Sequence, residues 1–126
     1  MKNIIVDTDI LINFLRGKPK ARDFLISLME NSSLYCSAIT IAELFAGMRE
    51  HERDKTTELI NGLTIIDVTR DIAERAGIYR RDEKSLTLEL DDCLIAASAF
   101  MHKCTLATGN GKHYPMEDIK TISVKM

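Results

Sequence analysis

Residues 4–11 read IIVDTDIL. Three apolar residues, Ile4, Ile5 and Val6, run into Asp7-Thr8-Asp9, and an amphipathic run of Ile10, Leu11, Phe14 and Leu15 follows at once. A short apolar, β-branched run suits a strand buried on both faces, and the three-and-four spacing after it suits a helix. The stretch predicts a buried strand that ends in acid and turns directly into a helix. In open α/β sheets, ligands gather outside the carboxyl ends of the strands. Asp7 is therefore the first candidate for chemistry.

The same alternation continues outward. Gly17-Lys18-Pro19 marks a break, and residues 20–31 read as a second helix with Phe24, Leu25, Leu28 and Met29 on one face. Asn31-Ser32-Ser33 reads as a turn, and Leu34 to Ile39 as a short strand. Thr40-Ile41-Ala42-Glu43 has the form of a capping box, followed by Ile41, Leu44, Phe45 and Met48 at helical spacing. Seven of the ten residues 49–58 carry a formal charge, which predicts a solvated helix or loop. Leu63 to Val68 is a third strand candidate. Thr69 can cap a helix that buries Ile72, Ala73, Ala76 and Tyr79, and the polar run Arg80 to Ser85 ends it. Leu86 to Leu90 reads as an irregular connector. Asp91 and Asp92 open the strongest helix, CLIAASAFMHK. Cys104 to Thr108 is a fourth strand, Gly109-Asn110-Gly111 a tight turn, and Ile119 to Val124 allows a last strand. Strands alternating with helices predict an α/β fold, a three-layer α/β/α sandwich with a mostly parallel central sheet.

The length of 126 residues suits a single domain, 1–126, and a hydrophobic content of 45% is enough for one core. A net charge of −2 supplies no general basic field for nucleic acid. A metal-dependent nuclease is still compatible, since it needs acids at its centre and basic residues only around the rim. Cys36, Cys93 and Cys104 are odd in number, form no C-x-x-C pair and lie in apolar segments. They read as reduced, buried thiols of a cytoplasmic protein. The histidines do not complete a zinc spacing. MKNIIVDTD lacks a signal peptide's apolar region, and no run of 18 apolar residues predicts a membrane span.

Each acid also has a plainer reading. Asp7 could merely cap the helix after it. Asp9 sits in a first helical turn, where the helix dipole favours a carboxylate by ~0.3–1 kcal/mol. Glu43 could reach back to Thr40 as a capping box, a role in conflict with holding a cation. Two adjacent acids at one helix start exceed what capping needs, so Asp91 is expected as the cap and Asp92 as the site residue. Asn110 is equally a turn residue or a site residue, and His113 reads as a surface histidine. Arg16, Lys18, Lys20 and Arg49 fall near the proposed strand-end face, and Arg80, Arg81 and Lys84 form a second basic group.

Four pieces, IIVDTDILI, SAITIAELFAGM, LELDDCLIAASAF and LATGNGKHY, occur in this order over nearly the whole chain. Together they resemble a PIN domain, and within that family the VapC-like toxins of toxin–antitoxin pairs. By position Asp7 matches the family's first acid, Glu43 its second, and Asp92 the acid that opens the D-x-L-I-A-A helix. Asn110 falls at the family's T-x-N-x-x-D-F motif, where His113 stands in place of a further acid. Thr8 matches a hydroxyl that lines the site, and Asp9 replaces the more usual Ser or Asn.

The resemblance implies that Asp7, Glu43 and Asp92 meet at one edge of the sheet as catalytic and metal-holding residues, with Thr8, Asp9 and Asn110 supporting them. Two like charges ~4 Å apart repel by ~4 kcal/mol at an effective dielectric of about 20. Such a cluster takes up a proton or binds a cation. All-oxygen ligands favour one or two Mg2+ or Mn2+ ions. The implied activity is hydrolysis of single-stranded RNA, with Arg16 and Arg49 steering the backbone. The implied partners are a cognate antitoxin, seated on the apolar residues of helices 20–31 and 40–48, and a second copy of the chain in a homodimer. Two alternatives stay open. One is a catalytically weak PIN-like module that binds RNA or protein. The other is a phosphatase of the haloacid-dehalogenase type, suggested by the D-x-D of Asp7 and Asp9, although Leu11 stands where such sites carry Thr or Val.

Overall fold

The computed structural model describes residues 2–84 and 87–125. Five strands form one sheet: β1 (Lys2–Val6), β2 (Ser32–Ser37), β3 (Thr64–Ile66), β4 (Thr105–Thr108) and β5 (Thr121–Ser123). Their order across the sheet is β3-β2-β1-β4-β5, and every pairing is parallel. Among the described residues six α-helices connect them: α1 (Thr8–Leu15), α2 (Pro19–Met29), α3 (Ala38–Gly47), α4 (Arg53–Asn61), α5 (Arg70–Asp82) and α6 (Leu90–Met101).

The period-two alternation of the strands sorts the core into two layers. Ile5, Leu106 and Ile66 point to one side, where they pack with Ile72 and Ala76 of α5 and Ile95, Ala96 and Ala99 of α6. Ile4, Val6, Cys36 and Ala107 point to the other, against Ile10 and Leu11 of α1, Leu25 of α2 and Leu44 of α3. The predicted α/β/α sandwich is the observed one. β1 is the central strand, which is why its residues are buried on both faces.

Several boundaries differ from expectation. Ser32 and Ser33 belong to β2 rather than to a turn, because their backbone pairs with Lys2 and Asn3 of β1. β2 ends at Ser37, whose hydroxyl accepts from Ile39 N and caps α3, so Ile39 is helical and the Thr40–Glu43 capping box does not form. The charged stretch 49–58 forms a 3-10 turn, Glu50–Glu52, and most of α4, with Thr56 buried inward. Ala73 is exposed, since the buried stripe of α5 runs through Ile72, Ala76 and the half-buried Tyr79. Pro19, read as a break, is the first residue of α2, where its fixed φ and missing N–H suit a helix start. Ser85 and Leu86, from the predicted polar end and connector, lie outside the described residues. Leu90, expected in the connector, starts α6.

The order of strands reverses at β1, between β2 on one side and β4 on the other. Crevices form at the carboxyl ends of strands at such a switch point. Asp7 follows β1 there, and Asn110 lies just past the end of β4.

Candidate active site

Asp7 is the hinge between strand and helix. Its backbone N–H donates to Ala107 O at 2.8 Å, extending the β1–β4 ladder by one residue. Its side chain then caps α1, with Oδ1 accepting from Thr8 N at 2.8 Å and Oδ2 accepting from Thr108 Oγ1 at 2.7 Å. The capping reading and the site reading are thus both true. Burial pushes the Asp7 carboxyl up to about 6, the charge of Asp9 adds to the rise, and the Thr108 hydrogen bond opposes it.

Thr8, the next residue, points toward α3. Its Oγ1 lies 2.7 Å from Glu43 Oε1 and 2.9 Å from Thr40 Oγ1. Since α3 starts at Ala38, Thr40 and Glu43 both lie inside the helix, and Glu43 is free to face α1. Burial pushes the Glu43 carboxyl up to about 7, followed by a hydrogen bond shared with Asp91 and the negative charges of Asp91 and Asp7.

α6 brings the third acid. Glu89 occupies the cap position without a side-chain cap bond, so Asp91 is not the N-cap expected from the sequence. Both Asp91 and Asp92 lie in the first turn, and Asp91 Oδ1 accepts from Asp92 N at 3.0 Å. Asp91 faces Glu43 and belongs to the acidic group. Burial raises the Asp92 pKa, Asp91 raises it further, and His113 lowers it.

The turn after β4 completes the arrangement. Thr108 Oγ1 also accepts from Asn110 N at 3.0 Å. Asn110 Nδ2 lies 3.0 Å from His113 Nε2, and His113 Nδ1 lies 3.4 Å from Asp92 Oδ2. His113 is exposed, as expected, and it also stands beside Asp92. Tyr114 is buried, donates from Oη to Asp92 Oδ1 at 3.3 Å, and is pushed well above the ordinary tyrosine range by burial and by Asp7 and Asp92.

Sequence reasoning missed Asp91, Thr108 and Tyr114 as site residues. The aromatic at the end of the T-G-N-G-K-H-Y run carried a signal, because it is the last position of the motif. Thr108 carried a comparable signal as the first position of the same run, at the end of a strand.

Arg16 and Arg49 do reach the site from one side. With Glu43, Lys55 and Glu52 they line a groove of about 360 Å3 between α1, α3 and α4. A larger apolar groove of about 860 Å3 lies between α1, α2 and α4, lined by Phe14, Leu25, Ile26, Met29, Leu59 and Leu63. No residue of α3 lines it, because Leu44 is turned into the core and toward the smaller groove.

The donors at this edge are all oxygens apart from the His113 ring, which suits a hard divalent cation. Asp9 Oδ1 is buried and has no hydrogen-bond partner among the described residues. An acceptor so placed is costly unless a cation or proton satisfies it. Among the described residues no three His, Cys, Asp or Glu side chains are gathered closely enough to hold an ion as they stand. The donors fit the cation in kind.

The PIN-domain family model matches residues 4–118. This chain belongs to the PIN-domain family. Over 115 residues this PIN chain is 42% identical to Ribonuclease VapC10 of Mycobacterium tuberculosis, a match that covers 90% of this chain and 86% of that one. Its fold superposes with a TM-score of 0.84 and 25% identity on VapBC2 from Rickettsia felis bound to a DNA fragment from its promoter, covering 96% of this chain and 98% of that one. A toxin–antitoxin complex from Klebsiella pneumoniae gives a TM-score of 0.81 and 29% identity, covering 96% of this chain and 99% of that one. The parallel sheet is thus that of a PIN domain.

Proposed function

We propose that this PIN domain, residues 1–126 as one unit, is a metal-dependent endoribonuclease of single-stranded RNA and the toxin of a toxin–antitoxin pair. The observation that carries the reading is the acid-lined edge at the switch point, where Thr8 bridges Asp7 and Glu43 and Tyr114 reaches Asp92, with Asp7 pushed up to about 6 and Glu43 to about 7. Paired carboxyls with displaced pKa values are a mark of functional sites. The named ribonuclease relative supports the activity.

Asp7 and Asp92 would hold one or two Mg2+ or Mn2+ ions, with Glu43 beside them. When bound, such an ion supplies charge neutralisation at the scissile phosphate and an activated water. Glu43 orients the attacking water or takes up its proton. Thr8 fixes Glu43, Thr108 fixes Asp7, and Asp9 offers its unpartnered oxygen. Arg16 and Arg49, joined by Lys55, draw the RNA backbone into the groove beside Glu43.

The apolar groove between α1, α2 and α4 suits an antitoxin segment, with the exposed Ile26 and Met29 covered by the partner. The exposed Ile78 and Met101 offer apolar surface for a second copy of the chain. The solved relative described as a toxin–antitoxin complex supports an antitoxin partner. The cytoplasm, where such a toxin meets cellular RNA, suits the three free cysteines.

The deciding experiment is cleavage of a panel of RNAs by the purified chain with Mn2+, with chelator, and with an Asp7→Asn control. Chelator-sensitive cleavage that is lost in the control is the expected result. RNA binding without cleavage would favour the inactive-module reading. Phosphate release from small monoesters would favour a phosphatase.

A further inference from the structure

The segment Asn110–Tyr114 returns to the sheet edge as one tight 3-10 turn and addresses both oxygens of Asp92. Tyr114 Oη donates to Oδ1 at 3.3 Å, and His113 Nδ1 lies 3.4 Å from Oδ2. The side chain of His113 is 54% exposed against 17% for Asp92, so packing does not orient the ring and its polar contacts do. An ionised carboxylate only accepts, so a proton on Nδ1 is attracted to Oδ2 where a bare lone pair would be repelled. In the neutral ring Nε2 then carries a lone pair, which the Asn110 amide N–H meets at 3.0 Å. In the imidazolium, Asn110 turns its oxygen there instead. Both cases leave a proton on Nδ1, beside Asp92 Oδ2.

We infer that His113 is a positioning residue for Asp92, with Asn110 as the group that holds its ring. The turn clamps the carboxylate from two sides and leaves its remaining lone pairs for a cation. The family motif resembled by this stretch has an acid where His113 stands. Here a hydrogen-bond donor replaces a charge, so the site relies on fewer carboxylates and aims the ones it has. Outer partners of this kind fix the orientation and basicity of a metal-holding group. The inference rests on the metal-site reading of Asp92 given above.

Calorimetric titration of Mn2+ into the full chain tests it. His113→Ala is expected to weaken Mn2+ binding about tenfold, within the range known for lost outer partners, with the melting temperature unchanged. His113→Asn, whose amide N–H stands where Nδ1–H stood, restores most of the affinity. His113→Gln, whose amide reaches the Nε2 position, does not. Asn110→Ala weakens binding, and adding it to His113→Ala costs nothing further. Unchanged affinity in His113→Ala overturns the inference, as does rescue by Asp but not by Asn, which would mean that the position needs charge. Asp92→Asn separates the two levels. If it abolishes Mn2+ binding while His113→Ala has no effect, only the positioning role falls. If it too leaves Mn2+ binding intact, the metal-site reading itself falls.

Discussion

Thr108 Oγ1 donates a 2.7 Å hydrogen bond to Asp7 Oδ2, joining the ends of two neighbouring parallel strands across 101 positions of sequence. The bond favours the charged form of a carboxylate that burial disfavours. Thr108→Val keeps the shape and removes the donor. It should destabilise the fold by about 1–3 kcal/mol, the usual cost of a buried polar group left without its partner. It should also move the Asp7 carboxyl higher still. Urea unfolding gives the first quantity, and NMR titration of the carboxyl carbon gives the second. Wild-type values for both would mean that Asp7 does not depend on Thr108.

The raised pKa values have a definite sign. Asp7 rises from 3.8 to about 6 on folding and Glu43 from 4.5 to about 7. Between those limits the folded protein holds more protons than the unfolded one, so stability falls as pH rises. The contribution is complete below about pH 4 and is lost on passing through pH 6 to 7. Without divalent ion, the melting temperature should decline over that window, and Asp7→Asn should flatten the decline. Added Mn2+ should restore stability at neutral pH by binding the folded state alone. A metal-free melting profile that climbs from pH 4 to 7 would contradict this account.

Asp92 carries the sharpest test of chemistry. Asp92→Asn keeps the volume and removes the charge. Cleavage should fall by more than the ~10–100-fold typical of a lost outer partner, while circular dichroism and melting stay near wild type. Full cleavage by the variant would remove Asp92 from the reaction.

Gly111 is a tight point of the turn that carries Asn110 and His113. A Cβ there would stand 2.8 Å from Ser123 Oγ of β5. Gly111→Ala should therefore make the exposed Ser123 hydroxyl turn, at a cost of at most about 1.5 kcal/mol, and should lower activity slightly by displacing the turn. Because the clash is with a single hydroxyl, Ser123→Ala in the same chain should recover most of both losses. Thermal melting and RNA cleavage of the two variants read it out.

Local pattern was sufficient to announce the strand–acid–helix unit at residues 4–11, the alternation of strands and helices, and therefore the α/β class. Those features follow from periodicity and side-chain type, which are properties of neighbours in sequence. The acids at positions 7, 43 and 92 were visible because a family motif marks them. Which of two adjacent acids would cap α6 was decided otherwise, since the helix starts at Leu90 and leaves Asp91 free to meet Glu43. Ser37, not Thr40, caps α3, because β2 ends there by pairing with β3 through Ser37. The Thr108–Asp7 bond, the clamp of His113 and Tyr114 on Asp92, and the groove shared by Arg16, Arg49 and Glu43 came only with the fold. Each joins side chains on different elements, and their meeting depends on strand order and helix starts that no local window contains.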